Sequence, residues 1–351
     1  MSSVVLKNKY QNIFSFLVAA HSRDYIFNKK ELNMPQRVSV CTVCETESIV
    51  KKPNGKFVCA KCGHELDDAY FKQVIEECHA AVKNVDTTVM FNLGWCYLNG
   101  AGVEKDVAEG IRYYTDAAEG GDVYAQYRLG RCYEKGTGVA VDYFEAVLWY
   151  RRAAEHGHAQ ALYRLGVCYE QGIGVTSSIT RAFHYYKLSA EQGNPFGQTA
   201  LAKCYANGLG TGKNVAEAMH YYQLAAEQDY APAMYQLGEI YANAVGVEAN
   251  MSEAIKWYQK AADQEYPQAL TALALCYKDG IGVTKDEAKA ILMLRHAARK
   301  GDGKAQYHLG VCYLNAAGVP FSLSEALHWL GAAAENGITE AVNFVKRKFK
   351  G

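Results

Sequence analysis

The chain has 351 residues, half of them apolar and about a fifth charged, and its 37 basic side chains are balanced by 37 acidic ones. This composition excludes a chain that is disordered throughout, and zero net charge removes any global electrostatic pull toward nucleic acid or an anionic membrane. No apolar run reaches the roughly 18 residues needed to span a bilayer.

Residues 1–36 open with Lys7 and Lys9 ahead of the short apolar stretch Ile13 to Ala20. The stretch faintly resembles a secretory signal, but Tyr10, Gln11 and Asn12 interrupt it and no small-x-small cleavage site follows. Ile13, Phe16, Leu17 and Ala20 stand at helical spacing, which predicts an amphipathic helix over Asn12 to Phe27 and a basic link through Lys29 and Lys30. Such a helix suits packing on the next module or docking as an adaptor; its few basic residues argue only weakly for a membrane surface.

Residues 37–66 carry the most specific chemical signal, two CxxC pairs at Cys41, Cys44, Cys59 and Cys62. Each pair can curl into a knuckle presenting two thiolates, and four thiolates satisfy tetrahedral Zn²⁺ with no open position. Between them, Ile49 to Val58 reads as strand, turn, strand, with Asn54 and Gly55 at the reversal. The expectation is a small zinc ribbon folded by its metal, because the segment has few apolar residues and a structural zinc supplies roughly 10–16 kcal/mol. A thioredoxin-type role for one CxxC is the alternative, but the second pair stands at ligand spacing and no βαβ pattern surrounds it. A RING-type double site needs eight ligands, and His64, Cys78 and His79 are unsuitably spaced.

After a connecting helix within residues 67–85, over Asp68 to Val82, a 36-residue period runs from 86 to 337. A Leu-Gly step falls at Leu93/Gly94, Leu129/Gly130, Leu165/Gly166, Leu237/Gly238 and Leu309/Gly310, with Leu201/Ala202 and Leu273/Ala274 in register. An Ala pair keeps step, as at Ala117/Ala118 and Ala153/Ala154. Seven repeats of this length predict a stacked helical array in which each unit buries its apolar face against its neighbours.

Within a repeat, Ala125, Leu129, Cys132 and Tyr133 mark one face of a first helix, A, and Ala146, Trp149, Tyr150 and Ala153 one face of a second, B. Gly130 inside helix A gives up roughly 1 kcal/mol of helix propensity, which points to close approach of a neighbouring backbone. Helix B starts at a capping acceptor in every copy: Asp106, Asp142, Ser178, Asn214, Asn250, Asp286 and Ser322. Helix A has such starts at Asp86, Asp122, Asn194 and Asp302, and Pro195 and Pro267 stand at the first helical position. Six of the eleven cysteines sit one per repeat, at Cys96, Cys132, Cys168, Cys204, Cys276 and Cys312. Packed helices place equivalent positions roughly 8–10 Å apart, beyond the roughly 7 Å limit for a bridge, so these read as reduced core thiols of a cytoplasmic or nuclear protein. Residues 338–351 open an eighth helix A, and Lys346, Arg347, Lys348 and Lys350 give it a polar end.

The pattern over Leu129 to Gly157, LGxCYxxGxGVxxDxxEAxxWYxxAAExG, resembles the Sel-one-like repeat of the tetratricopeptide superfamily. The resemblance covers residues 86 to about 345, and the zinc ribbon is not part of it. It implies an all-α protein, a right-handed α-solenoid of about seven helix-turn-helix repeats that serves as an adaptor with partners on the concave, helix A side. Some secreted relatives bridge A and B helices with paired cysteines, and here helix B lacks the second one.

Positions that differ between repeats are the candidates for recognition. Around the Leu-Gly step, Arg128, Arg131, Arg164 and Lys203 form a basic stripe beside Trp95, Tyr127 and Tyr163, suited to an acidic or C-terminal peptide segment. The functional expectation is a non-enzymatic interaction scaffold with the ribbon as a second docking module. The alternative is a nucleic-acid-associated regulator, for which residues 1–66 offer ten basic against five acidic side chains. No nucleophile elbow, P-loop or HExxH motif supports a hydrolase.

Overall fold

The computed structural model describes residues 49–52, 56–59, 63–81, 86–246 and 248–349. The expected helix over Asn12 to Phe27, the reversal at Asn54 and Gly55, and Cys41, Cys44 and Cys62 lie outside them. A three-stranded antiparallel sheet comes first: β1 (Ile49–Lys51), β2 (Phe57–Cys59) and β3 (Glu65–Leu66), in that order across the sheet. Val50 faces Val58, and Val58 faces Glu65 on the other side. The expected hairpin thus gains a third short strand.

Helix α1 (Asp68–Ala81) follows, then seven hairpins, each an A helix and a B helix. The first three are α2 (Thr87–Asn99) with α3 (Val107–Glu119), α4 (Val123–Lys135) with α5 (Tyr143–Glu155), and α6 (Ala159–Gln171) with α7 (Ile179–Glu191). The next two are α8 (Pro195–Asn207) with α9 (Val215–Ala226), and α10 (Ala231–Ala242) with α11 (Met251–Asp263). The last two are α12 (Pro267–Asp279) with α13 (Glu287–Arg299), and α14 (Gly303–Asn315) with α15 (Leu323–Glu335). Helix α16 (Thr339–Phe349) continues the register and buries Ala341.

Repeat helices of 12 or 13 residues are marginal alone in water, so caps and packing must hold them. All seven B-helix caps form: Asp106, Asp142, Ser178, Asn214, Asn250, Asp286 and Ser322 each accept the backbone N–H three residues on. At about 1 kcal/mol each these caps sum to the scale of a domain's net stability. Helix A is capped by Asp86, Asp122, Asn194 and Asp302 as expected. The sequence reading missed His158, whose Nδ1 accepts from the Ala161 N–H at 3.2 Å and so carries no proton itself. Tyr230 and Tyr266 make no side-chain cap, and a proline follows close behind each.

The expected backbone approach is present, with the Gly110 and Ala146 carbonyls 3.0 and 3.1 Å from where a Cβ on Gly94 or Gly130 would stand, and a side chain of helix B comes closer still. A Cβ on Gly166 would lie 2.4 Å from the Tyr186 ring, and one on Gly238 would lie 2.4 Å from the Tyr258 ring. Gly94 and Gly130 meet Tyr114 and Tyr150 in the same way, while Gly310 meets Leu330. A buried helix B side chain therefore lies flat on the bare stretch of helix A within its own hairpin. Ala202 with Tyr222, and Ala274 with Leu294, accommodate the extra carbon.

Neighbouring hairpins join through the Ala pair and the loops. Helix B ends in a turn whose next backbone N–H reaches back to the first alanine carbonyl, as from Asp122 to Ala117 at 2.9 Å and from His158 to Ala153 at 3.1 Å. In the loop after helix A, the second glycine abuts helix B of the preceding repeat: Gly138 against Val107 and Ile111, Gly210 against Ile179. Gly102 of the first repeat abuts Phe71 instead. Helix α1 thus takes the place of a preceding helix B and caps the array.

The small sheet docks on this end. Phe57 packs on Phe71 at 4.8 Å and on Trp95 at 5.5 Å between ring centres, and Lys51 donates to the Asn99 carbonyl at 2.9 Å. The segment expected to lack a core therefore shares that of the first repeat, together with Leu66.

The turn ending each helix B requires a left-handed residue, supplied by Gly121, Gly157, Gly193, Gly301 and Gly337 but by Asp229 and Glu265 in two repeats. Asp229 is exposed at φ 59°. Replacing it by glycine removes a Cβ clash of about 1 kcal/mol. Asp229→Gly is expected to raise stability by about that much, read as a higher urea midpoint at unchanged slope.

Candidate functional site

The A helices of successive repeats form one row. Helices α6 and α8, and α12 and α14, touch one another directly across successive repeats, and no two B helices approach to that extent among the described residues. Along this row, repeats two to five enclose a groove of about 860 Å³. One wall is aromatic: Tyr163, Phe196 and Tyr230 follow at centroid distances of 5.6 and 4.9 Å, and Phe196 is exposed.

Its polar side is built on the buried helix B tyrosines. Tyr150 donates its hydroxyl to the Glu134 carboxylate, and Arg164 of the next repeat grips the same carboxylate, with Nε at 3.2 Å. One repeat on, Tyr186 donates to Glu170, and Lys203 of the following repeat stands 3.8 Å from it. Helix B phenol, helix A carboxylate and a cation of the next helix A thus form a link across each of these junctions. Further along, Tyr258 donates to Glu239, and Tyr235 lines a hollow with the same carboxylate.

Burial holds the Tyr150, Tyr186 and Tyr258 hydroxyls well above the ordinary phenol range, and the carboxylate beside Tyr186 and Tyr258 adds to the effect. Burial likewise pushes the Cys132 and Cys204 thiols up to about 11. The six repeat cysteines are buried and none is bridged, in line with the spacing argument.

The structure divides the residues expected to bind a partner. Tyr163, Arg164 and Lys203 share the groove. Tyr127 is buried, stacked on His158 at 4.7 Å, and accepts a hydrogen bond from Arg131 at 3.1 Å. Arg128 and Arg131 are half-buried on α4, outside the groove lining. Trp95 is a correction: it is 5% exposed beneath Phe57 and Phe71, so the sheet covers the face on which a partner was expected. Of the expected zinc ligands only Cys59 is described, buried at the end of β2.

Sequence reading missed Glu134, Glu170, Glu239, Phe196 and Tyr230. Comparing the residue five after each repeat leucine would have found the first two, since that column reads Leu98, Glu134, Glu170, Ala206, Ala242, Lys278 and Leu314. Glu239 stands in another column and gives no such signal.

The profile described as Sel1 repeat matches residues 88–122, 123–158, 159–194, 195–230, 231–266, 267–302 and 303–338. Among solved structures, the chain is similar to a protective antigen present in uropathogenic Escherichia coli strains and displaying an SLR fold, at 32% identity and a TM-score of 0.65. That match covers 76% of this chain and 57% of the antigen, so the chain spans little more than half of that relative's length. A Sel1 repeat protein from Oxalobacter formigenes matches at 29% identity and a TM-score of 0.62, over 80% of this chain and 82% of that one. Comparison with curated proteins finds no match.

The raised thiols and phenols fix a pH dependence. Their protonated forms are favoured by folding, so the stabilisation is complete below the ordinary thiol value of about 8.5 and is lost as pH rises through the folded values, near 11 for Cys132 and Cys204. Urea midpoints are expected to hold steady between pH 7 and 8 and to fall from pH 9 to 11, with a shallower fall in Cys132→Ala/Cys204→Ala.

Proposed function

The chain belongs to the Sel1 repeat family, and from that premise we propose that it works as a non-enzymatic scaffold gathering protein partners on its row of A helices. The observation carrying this reading is the groove of about 860 Å³, where aromatic rings and side chains that differ between repeats lie on one continuous surface. An aromatic wall beside fixed charges is the composition of a peptide-binding surface. Arg128 and Arg131, near its upstream end, are suited to an acidic or C-terminal segment of the guest. Arg164 and Lys203 already hold carboxylates of the chain itself.

The test is quantitative affinity capture from cells with the full chain, Tyr163→Ala/Phe196→Ala and Arg128→Glu/Arg131→Glu. The groove pair is expected to lose most of the specific partners, and the arginine pair those with acidic segments, each at an unchanged melting temperature. An identical partner set for all three proteins would refute the reading.

We propose further that Cys41, Cys44, Cys59 and Cys62 hold a structural Zn²⁺, with reduced thiols suited to the cytoplasm or nucleus. Its support is the pair of backbone bonds that brings Gly63 and His64 back to Cys59. The Gly63 N–H donates to the Cys59 carbonyl at 2.9 Å with Gly63 at φ +74°, and the Cys59 N–H donates to the His64 carbonyl at 2.9 Å. Four thiolates leave no position for a substrate, so the metal would fasten the sheet over Trp95. Elemental analysis is expected to find one zinc per chain and none in Cys59→Ser. A chelator is expected to shift tryptophan emission to the red in the parent but not in Trp95→Phe.

A further inference from the structure

The Tyr258–Glu239 pair lacks the cation that completes the link at two other junctions. Glu134 is answered by Arg164 and Glu170 by Lys203, each from the next repeat's helix A. The positions 36-fold equivalent to Arg164 and Lys203 in the repeat after Glu239 are Ala272 and Leu275. Both line, with Glu239 and Tyr235, a second hollow of about 410 Å³ that adjoins the main groove. Among the described residues no cation pairs with Glu239. Lys304 also borders the hollow but forms no ion pair with Glu239, and Asp302 beside it caps α14 and accepts from Thr271 at 2.9 Å.

The Glu239 carboxylate therefore stands half-buried between two phenols, Tyr235 and Tyr258, with its charge uncompensated. A carboxylate has about four acceptor directions, and the Tyr258 hydroxyl takes one of them. Tyr163, Phe196 and Tyr230 lie along the same groove, ready for an apolar neighbour of a cation that enters here.

We propose that this gap is a recognition site for a lysine or arginine side chain of an extended partner peptide, the guest supplying the cation that Arg164 and Lys203 supply elsewhere within the chain. The inference rests on the scaffold reading and adds to it the chemistry of the guest. With Arg128 and Arg131 upstream, it also gives the guest a polarity: acidic toward the second repeat, basic at the fifth.

A random dodecapeptide phage library panned on the full-length protein, followed by fluorescence titration of the selected peptides, tests the proposal. The enriched peptides are expected to align on one basic residue with an aromatic or aliphatic residue a few positions away. Glu239→Gln, which keeps a hydrogen-bond acceptor for the Tyr258 phenol, is expected to weaken them at least tenfold, and Glu155→Gln, at an exposed carboxylate of α5 outside the groove lining, to weaken them less than twofold. Ala272→Arg installs the missing cation within the chain; it is expected to weaken binding by a similar factor while leaving the fold intact and raising the urea midpoint. Peptides that depend on Phe196 but bind Glu239→Gln and Ala272→Arg as tightly as the parent would overturn this inference and leave the scaffold standing. Peptides indifferent to Tyr163→Ala/Phe196→Ala as well would remove both.

Discussion

Everything in this array depends on how closely helix A and helix B of one hairpin approach. A glycine on helix A meets a tyrosine ring from helix B at a distance that leaves no room for a Cβ, and the ring is almost wholly buried by the contact. Glycine weakens helix A by roughly 1 kcal/mol, while burying an aromatic side chain returns about 1.5–3 kcal/mol, so the exchange favours the packed hairpin. The same contact carries the tyrosine hydroxyl to a helix A carboxylate, the polar partner that satisfies it. Structure and recognition surface thus share one residue: the ring holds the hairpin, and its oxygen organises the groove.

That oxygen explains the charge pattern of the inner face. A carboxylate on helix A takes the phenol, and a cation from the next helix A takes the carboxylate, which ties neighbouring repeats across the groove floor. Arg164 and Glu134 are both more than three-quarters buried, where an ion pair contributes only if its remaining hydrogen-bonding capacity is met, as the phenol does here. The basic stripe is consequently not a strip of free positive charge. Where a repeat lacks the cation, the carboxylate is left for a guest.

A stack of identical units also has an end problem. The first hairpin has no preceding helix B, and Phe71 of α1 fills that place against Gly102, while Phe57 of the sheet closes over Trp95. The N-terminal module therefore belongs to the stability of the array as much as to any docking of its own. At the other end α16 keeps the register of a helix A and turns Arg347 outward.

The repeat length, the pairing of helices, every helix B cap and the buried unbridged cysteines were legible in the sequence, because each is set by local spacing or by a residue three positions away. The strands β1 and β2 were legible as well; the third strand was not. The site was only half legible. Arg164, Lys203 and Tyr163 stood out because they differ between copies, but which carboxylate each cation meets depends on residues 30 or more positions apart brought together by the stacking. Trp95 shows the same limit in reverse: its neighbours along the chain say nothing of the Phe57 ring that covers it. His158 acts as a cap because its turn aims a ring nitrogen at the Ala161 N–H, a choice that composition does not make. The sequence by itself determined which letters repeat, and hence which helices form and pair; only the tertiary structure decided which of the differing letters are spent on one another and which remain for a partner, since charge pairing and burial are set by distances across the stack.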